Sequence, residues 1–207
     1  MKIDRFNVQE RFVHWMVAIS FVYAALSGLA MWSRHLFWIA TVLGGGETVR
    51  TLHPWGGTIF ALILGFMFSR WASQMKLDAA DREWLAKSGR YMVNDEKGMP
   101  ESGKFNGGQK MLFWVEAAFA LLLFLSGAIL WFPEITPRVL RLGAVLLHPL
   151  AAIGSIGGII VHIYMSLFAV PGSLKAMTEG YVSARWAKAH HPKWFRQITK
   201  TENENAR

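Results

Sequence analysis

The chain has 207 residues, of which 53% are hydrophobic and only 17% charged, and it carries a formal charge of +8. Its apolar residues are blocked into long runs rather than spaced along amphipathic faces, which excludes an ordinary soluble domain and suits about four or five membrane spans. It contains no Cys, which excludes disulfides, zinc–thiolate sites, Cys-ligated iron–sulfur clusters and covalent c-type haem.

Residues 1–11 are polar and mixed in charge. Phe12 to Ser33 holds no formal charge and predicts a first span, with His14 near its start. No small-residue cleavage site follows this run, so it reads as a retained helix rather than a removed signal. Arg34 to Arg50 is a connection containing Gly44, Gly45 and Gly46, a turn signal. The second span is expected over 51–70, with His53 near its start; the proline after it, Pro54, marks a helix beginning. Residues 70–110 form the longest polar segment. The third span is expected over 111–132, interrupted by Glu116, and the fourth over 142–170, stopped by Pro171 and Gly172. The tail, 173–207, is basic and aromatic and predicts a short amphipathic helix at the membrane surface near its start.

Orientation follows from the basic residues. Four spans put both termini on one side, and that side holds 18 of the 22 Lys and Arg, leaving only Arg34, Arg50, Arg138 and Arg141 for the other. The positive-inside bias predicts cytoplasmic termini. The same bias accounts for the net charge without any nucleic-acid partner.

Leu142 to Leu174 contains no Asp, Glu, Lys or Arg but carries His148 and His162, fourteen positions apart. On a helix that spacing rises about 21 Å and falls roughly 40° short of four full turns, so both rings share one face at different depths. A polar ring in lipid is costly without a partner. Spans one and two run in opposite directions, and span four runs with span two. His53 therefore matches His148 in depth toward the outer face, and His14 matches His162 toward the cytoplasm. A single membrane histidine is commonly bonded to a neighbouring helix, but two depth-matched pairs are what bis-imidazole ligation of two b-type haems requires. Proline after His148 predicts a kink at Pro149 or a helix beginning there. His35, His190 and His191 read as solvated. Arg5, Arg11, Arg34 and Arg50 read either as propionate partners or as ordinary charges facing lipid headgroups. For Glu116, one reading is a carboxylate reaching back to the headgroups and the other is proton delivery.

Several stretches then resemble the cytochrome b, or gamma, subunit of membrane-bound respiratory formate dehydrogenases. They are Arg11-Phe-Val-His-Trp15, Leu52-His-Pro-Trp55, Lys104-Phe-Asn-Gly-Gly-Gln-Lys-Met-Leu-Phe-Trp114, Leu146-Leu-His148, Val161-His-Ile-Tyr-Met165, Gly172-Ser-Leu-Lys175 and the tail Arg185-Trp-Ala-Lys-Ala-His-His-Pro-Lys-Trp194. The resemblance runs through essentially the whole chain. It implies an all-α, four-transmembrane-helix bundle, one membrane cytochrome b domain over 1–207, with two haems b. His14 and His162 would hold the inner haem, and His53 and His148 the outer one. It also implies a quinone site, for menaquinone or ubiquinone, at Asn106, Gly108 and Gln109 with His162 close by; the alternative for Asn106 to Gln109 is a turn before a helix. The implied partners are an iron–sulfur subunit and a catalytic formate dehydrogenase subunit, with a higher oligomer of the complex also compatible. Electrons would pass from the outer side to a quinone near the cytoplasm, and this chain would have no formate-oxidising site. The spacing of the histidines alone also fits the cytochrome b of a membrane hydrogenase or thiosulfate reductase, and a haem-free anchor is the third reading. Two departures from the family's pattern are Pro149 and Glu116.

Overall fold

The computed structural model describes residues 1–93, 95 and 97–205. In chain order it has strand β1 (Lys2–Asp4), helix α1 (Val8–Trp32), short α2 (Trp38–Val42), α3 (Gly46–Trp71), short α4 (Ala79–Ala86) and α5 (Ser88–Met92). Then come α6 (Gly107–Trp131), α7 (Arg138–Tyr164), short α8 (Lys175–Thr178), β2 (Tyr181–Ser183), α9 (Ala184–His190) and α10 (Pro192–Asn205). Four helices, α1, α3, α6 and α7, are long and apolar enough to cross a membrane. Their outward side chains are largely apolar, among them Phe12, Ile19, Leu62, Leu121 and Leu146. A bilayer, not water, is the solvent such surfaces need.

The uncharged runs mark the hydrocarbon layer and understate the helices. Each long helix starts about one turn earlier than its uncharged stretch, because its first turn carries charge or hydrogen-bonding side chains. At α1, Asn7 and Glu10 form a reciprocal cap: the Glu10 N–H donates to Asn7 Oδ1 at 2.9 Å and the Asn7 N–H to Glu10 Oε2 at 2.8 Å. Asp78 and Asp81 do the same for α4. Gly44 and Gly45, at φ of 96° and 100°, make the turn into α3. The two expected helix starts at proline need correction. Pro54 lies inside α3 rather than at its start, and α7 continues through Pro149 without beginning there. A span packed in lipid retains its helix where proline removes one backbone bond. The fourth span changes winding later, at a π-helical segment, Met165–Ala169.

The chain divides into two compact units. One comprises Phe12–Arg70 and Val115–Ile159. Within it Phe60, Leu64 and Ala120 are buried together, with Val17, Phe21 and Met67 against them. Ala30, Ile39, Ala40 and Val49 close a second cluster around the α1–α3 connection. Close helix approach needs glycine at Gly56, where a Cβ would fall 2.5 Å from the Tyr23 ring, and at Gly154, where it would meet Phe119 at 2.5 Å.

The other unit comprises Met1–Arg11, Trp71–Trp114 and Ile160–Arg207. It departs from an all-helical fold: β1 and β2 pair antiparallel, with Ile3 opposite Val182. The tail opens with a short helix, as expected, the four-residue α8, and continues into β2; a longer polar-faced helix, α10, lies at the end. The expectation that His191 is solvated is also corrected. It is 1% exposed, and its Nδ1–H donates to the Gly103 carbonyl at 2.6 Å. Burial, and then the nearby Arg5 guanidinium, holds this imidazole well below its ordinary range, so it is neutral. Arg196 forms a bidentate pair with Glu101, and the Lys193 N–H donates to the Ser102 carbonyl, so the tail is tied to the loop before α6.

Candidate cofactor site

His53 is the eighth residue of α3 and His148 the eleventh of α7. Their imidazoles approach with ring centres 6.2 Å apart and planes at 81°. A metal–imidazole bond is about 2 Å long and the ring centre lies about 1 Å beyond the nitrogen. Two imidazoles on opposite sides of one metal thus hold their centres about 6 Å apart. The 6.2 Å between the ring centres is compatible with that separation.

The other ring nitrogens are occupied. Ser27, on α1, places Oγ 2.8 Å from His53 Nδ1, and Ser126, on α6, places Oγ 2.9 Å from His148 Nδ1. Each serine hydroxyl also donates to the carbonyl four residues back, Tyr23 at 2.7 Å and Leu122 at 2.6 Å. A hydroxyl has one proton, so with that proton on the carbonyl it can only accept from Nδ1–H. Ligation of a metal through Nε2 requires the Nδ1–H tautomer, which these serine contacts accommodate. Gly28 and Gly127 follow the serines; a Cβ on either would lie 3.2 Å from the Cε1 of the ring it faces. The donor set is two neutral imidazoles with no thiolate in the chain, which fits a non-covalent b-type haem and not a c-type one.

Neither serine was singled out in the sequence. A serine inside an apolar helix usually bonds its own carbonyl, and these do. The legible signal was the doubling: Ser27-Gly28 before His53-Pro54, and Ser126-Gly127 before His148-Pro149.

The remaining expected residues are distributed as follows. His14 is in the second turn of α1, and its ring meets Trp15 edge-on at 5.4 Å between ring centres. His162 is in the last turn of α7, just before the π-helical segment, and its carbonyl accepts from Ser166 Oγ at 2.8 Å. Asn106 and Gln109 form the cap of α6: the Gln109 N–H donates to Asn106 Oδ1 at 2.9 Å and the Asn106 N–H to Gln109 Oε1 at 3.1 Å. The glycines between them are forced by packing. A Cβ at Gly107 would lie 2.7 Å from the Asp81 carbonyl oxygen, and one at Gly108 would lie 2.8 Å from the Trp84 ring. The turn reading of this motif is thus present in full, and its capping bonds use the side-chain oxygens rather than the NH2 groups. Lys110 pairs with Asp81 at 2.5 Å, and the Trp114 indole N–H donates to the Met75 carbonyl at 2.9 Å, fixing the same corner.

Glu116 does not reach back to the headgroups. It is 8% exposed and accepts from Ser155 Oγ at 2.5 Å, while its Oε1 has no partner among the described residues. Arg5 is not lipid-facing either. It is buried over the Trp186 and Trp194 rings at 4.9 and 5.3 Å and donates to the Lys104 carbonyl at 2.7 Å. Burial lowers its pKa to about 10. Arg11 donates to the Thr178 carbonyl at 2.9 Å, and Arg34 and Arg50 are exposed.

A family model described as prokaryotic cytochrome b561 matches residues 5–180. The chain belongs to this family. It is 37% identical to the formate dehydrogenase cytochrome b556(fdo) subunit of Escherichia coli K12, over 99% of this chain and 97% of that one. It is 38% identical to the nitrate-inducible formate dehydrogenase cytochrome b556(Fdn) subunit of the same strain, over 97% and 93% of the two chains. The formate dehydrogenase cytochrome b556 subunit of Haemophilus influenzae is 32% identical over 98% of this chain and 87% of its own length. The resemblance read from the motifs is thereby established: this cytochrome b561-family chain is of the kind found as formate dehydrogenase cytochrome b subunits, with four helices able to span a membrane.

Proposed function

We propose that this chain is the membrane cytochrome b subunit of a respiratory formate dehydrogenase, carrying electrons from an iron–sulfur partner on the outer side to a quinone near the cytoplasmic face. The reading rests on the His53–His148 pair, with ring centres 6.2 Å apart and both Nδ1 atoms tied to buried serines. The relatives' names supply a formate dehydrogenase complex; the iron–sulfur donor belongs to the proposal itself.

His53 and His148 would hold the outer haem b through Nε2, and His14 and His162 the inner one. Each haem, when bound, supplies a one-electron couple inside the hydrocarbon layer. The chain's residues do the rest. The serines orient the outer imidazoles, and the apolar helix faces keep water away from them. Inward transfer against a membrane negative inside costs about 2.3 kcal/mol per charge per 100 mV, which the donor–quinone potential drop must exceed.

Quinone reduction consumes two electrons and two protons. Asn106 and Gln109 keep their NH2 groups beyond the capping bonds, and these are the donors suited to quinone carbonyls, with Gly108 and His162 completing the site. Glu116 stands seven residues along α6 from Gln109, about 10 Å of helical rise. Its acid group, anchored by Ser155, is the candidate for passing cytoplasmic protons toward the quinone. Both termini are assigned to the cytoplasm of a bacterial inner membrane on the distribution of Lys and Arg.

The test is optical. In membranes holding the whole complex, formate should develop a b-type reduced-minus-oxidised α band, and a menaquinone analogue should reoxidise it. Asn106→Asp and Gln109→Glu should slow reoxidation while leaving reduction by formate intact. Absence of a b-type band, or full reoxidation rates in both variants, contradicts the assignment of carrier or of quinone site respectively.

A further inference from the structure

The two serines of the paired-histidine site occupy equivalent places in two helical hairpins. Ser27 on α1 serves His53 on α3; Ser126 on α6 serves His148 on α7. Both are almost fully buried, at 0% and 2% exposure, and each sits beside the glycine that lets the ring lie against its helix. With a metal on Nε2 the proton of each imidazole is on Nδ1 and is donated to the serine oxygen, whose own proton goes to the carbonyl four residues back in its helix. Donating that proton makes the same oxygen a better acceptor, because linked hydrogen bonds polarise one another. An imidazole whose Nδ1–H is donated to such an acceptor is a more basic ligand at Nε2. A more basic axial ligand favours the more highly charged, oxidised metal.

We infer that Ser27 and Ser126 are positioning residues that act together, one on each side, to fix the tautomer and near-perpendicular ring planes of both outer imidazoles and to hold the outer centre's midpoint potential down. This rests on the reading that His53 and His148 bind a haem. The consequence is a potential difference between two haems of identical ligand type, set in part by two hydroxyls rather than by the ligands themselves. The work falls on the carboxylate-free side of chemistry. A serine can accept from Nδ1–H without placing a charge in the hydrocarbon layer, whereas an Asp in its place would be costly there.

The experiment uses the purified complex in an optical redox titration, with electron paramagnetic resonance of the oxidised state. Ser27→Ala and Ser126→Ala should each raise the midpoint of one haem and leave the other unmoved. The double variant should shift the same haem further, and the resonance signal that reports the angle between the imidazole planes should change for that haem only. Ser27→Thr and Ser126→Thr keep the hydroxyl and should return midpoint and signal toward the parent values, including where an alanine variant has lost haem. An unmoved midpoint and signal in both alanine variants, or threonine variants that behave like alanine, overturn the inference. A His53→Ala protein that retains both haems overturns the underlying ligand assignment instead, so the two failures are distinguishable.

Discussion

A glycine follows each serine that holds a paired imidazole, and the ring it faces leaves little room for a side chain. Alanine at Gly28 or Gly127 would put a methyl 3.2 Å from an imidazole Cε1. Alanine gains about 1 kcal/mol of helix propensity over glycine, and crowding in a packed helix pair costs about 1–3 kcal/mol. The two nearly cancel, so the prediction separates stability from function. Gly28→Ala and Gly127→Ala should move the thermal midpoint of the detergent-solubilised protein only slightly while lowering the haem recovered per polypeptide. Equal haem recovery in both would mean the rings have slack that the contact distances deny. Glu116 gives the second prediction at this scale. It is a buried acid with one oxygen on Ser155 and the other unpartnered among the described residues, which is what the proposed proton path draws on. Glu116→Gln keeps the size and the Ser155 contact. It should slow quinol formation several-fold without loss of haem; an unchanged rate removes Glu116 from the proton path.

At the scale of elements, the α6 N-terminus combines a cap with a proposed ligand site, and substitution can pull the two apart. Asn106→Ala removes the cap and should destabilise by about 1 kcal/mol, lowering the thermal midpoint. Asn106→Asp retains an acceptor for the Gln109 N–H, so its thermal midpoint should stay near the parent value while quinone reduction falls. The tail supplies a pH-dependent element. His191 is neutral when folded but titrates near pH 6.5 when exposed. The folded state therefore binds fewer protons than the unfolded one, and the stabilisation is complete above about pH 6.5 and lost as the pH falls below it. The thermal midpoint should decline between pH 7 and pH 5, and this decline should be shallower in His191→Asn, which keeps a donor for the Gly103 carbonyl without a titrating ring. Identical slopes would place the acid sensitivity elsewhere.

For the whole molecule, the sequence already contained the spans and the approach of His53 to His148, because hydrocarbon thickness and helical rise are strong constraints on a charge-free run. It did not show helix ends, since α1, α3, α6 and α7 begin in charged or capped turns that belong to the interface rather than the lipid. Nor did it show the β1–β2 pair. Lys2–Asp4 and Tyr181–Ser183 are too short and too far apart in the chain for their alternation to be read. His191 looked solvated because its neighbours are basic, yet it is packed between Arg5 and Trp194 surroundings that only the folded tail assembles. The serines at the paired site were hidden by their commonness. Orientation can be tested without background because the chain has no Cys. In intact cells, a membrane-impermeant thiol reagent should label Glu134→Cys from outside and leave Ala189→Cys unlabelled until the membrane is opened; the reverse pattern would invert the topology.

The pairing of histidines across the membrane is the claim from which the electron route follows, and haem counting in double variants tests it most directly. The account predicts two non-covalent haems per parent polypeptide, one in His53→Ala/His148→Ala, one in His14→Ala/His162→Ala, and none in His14→Ala/His53→Ala. A single haem in the parent, or one haem surviving in His14→Ala/His53→Ala, would contradict it.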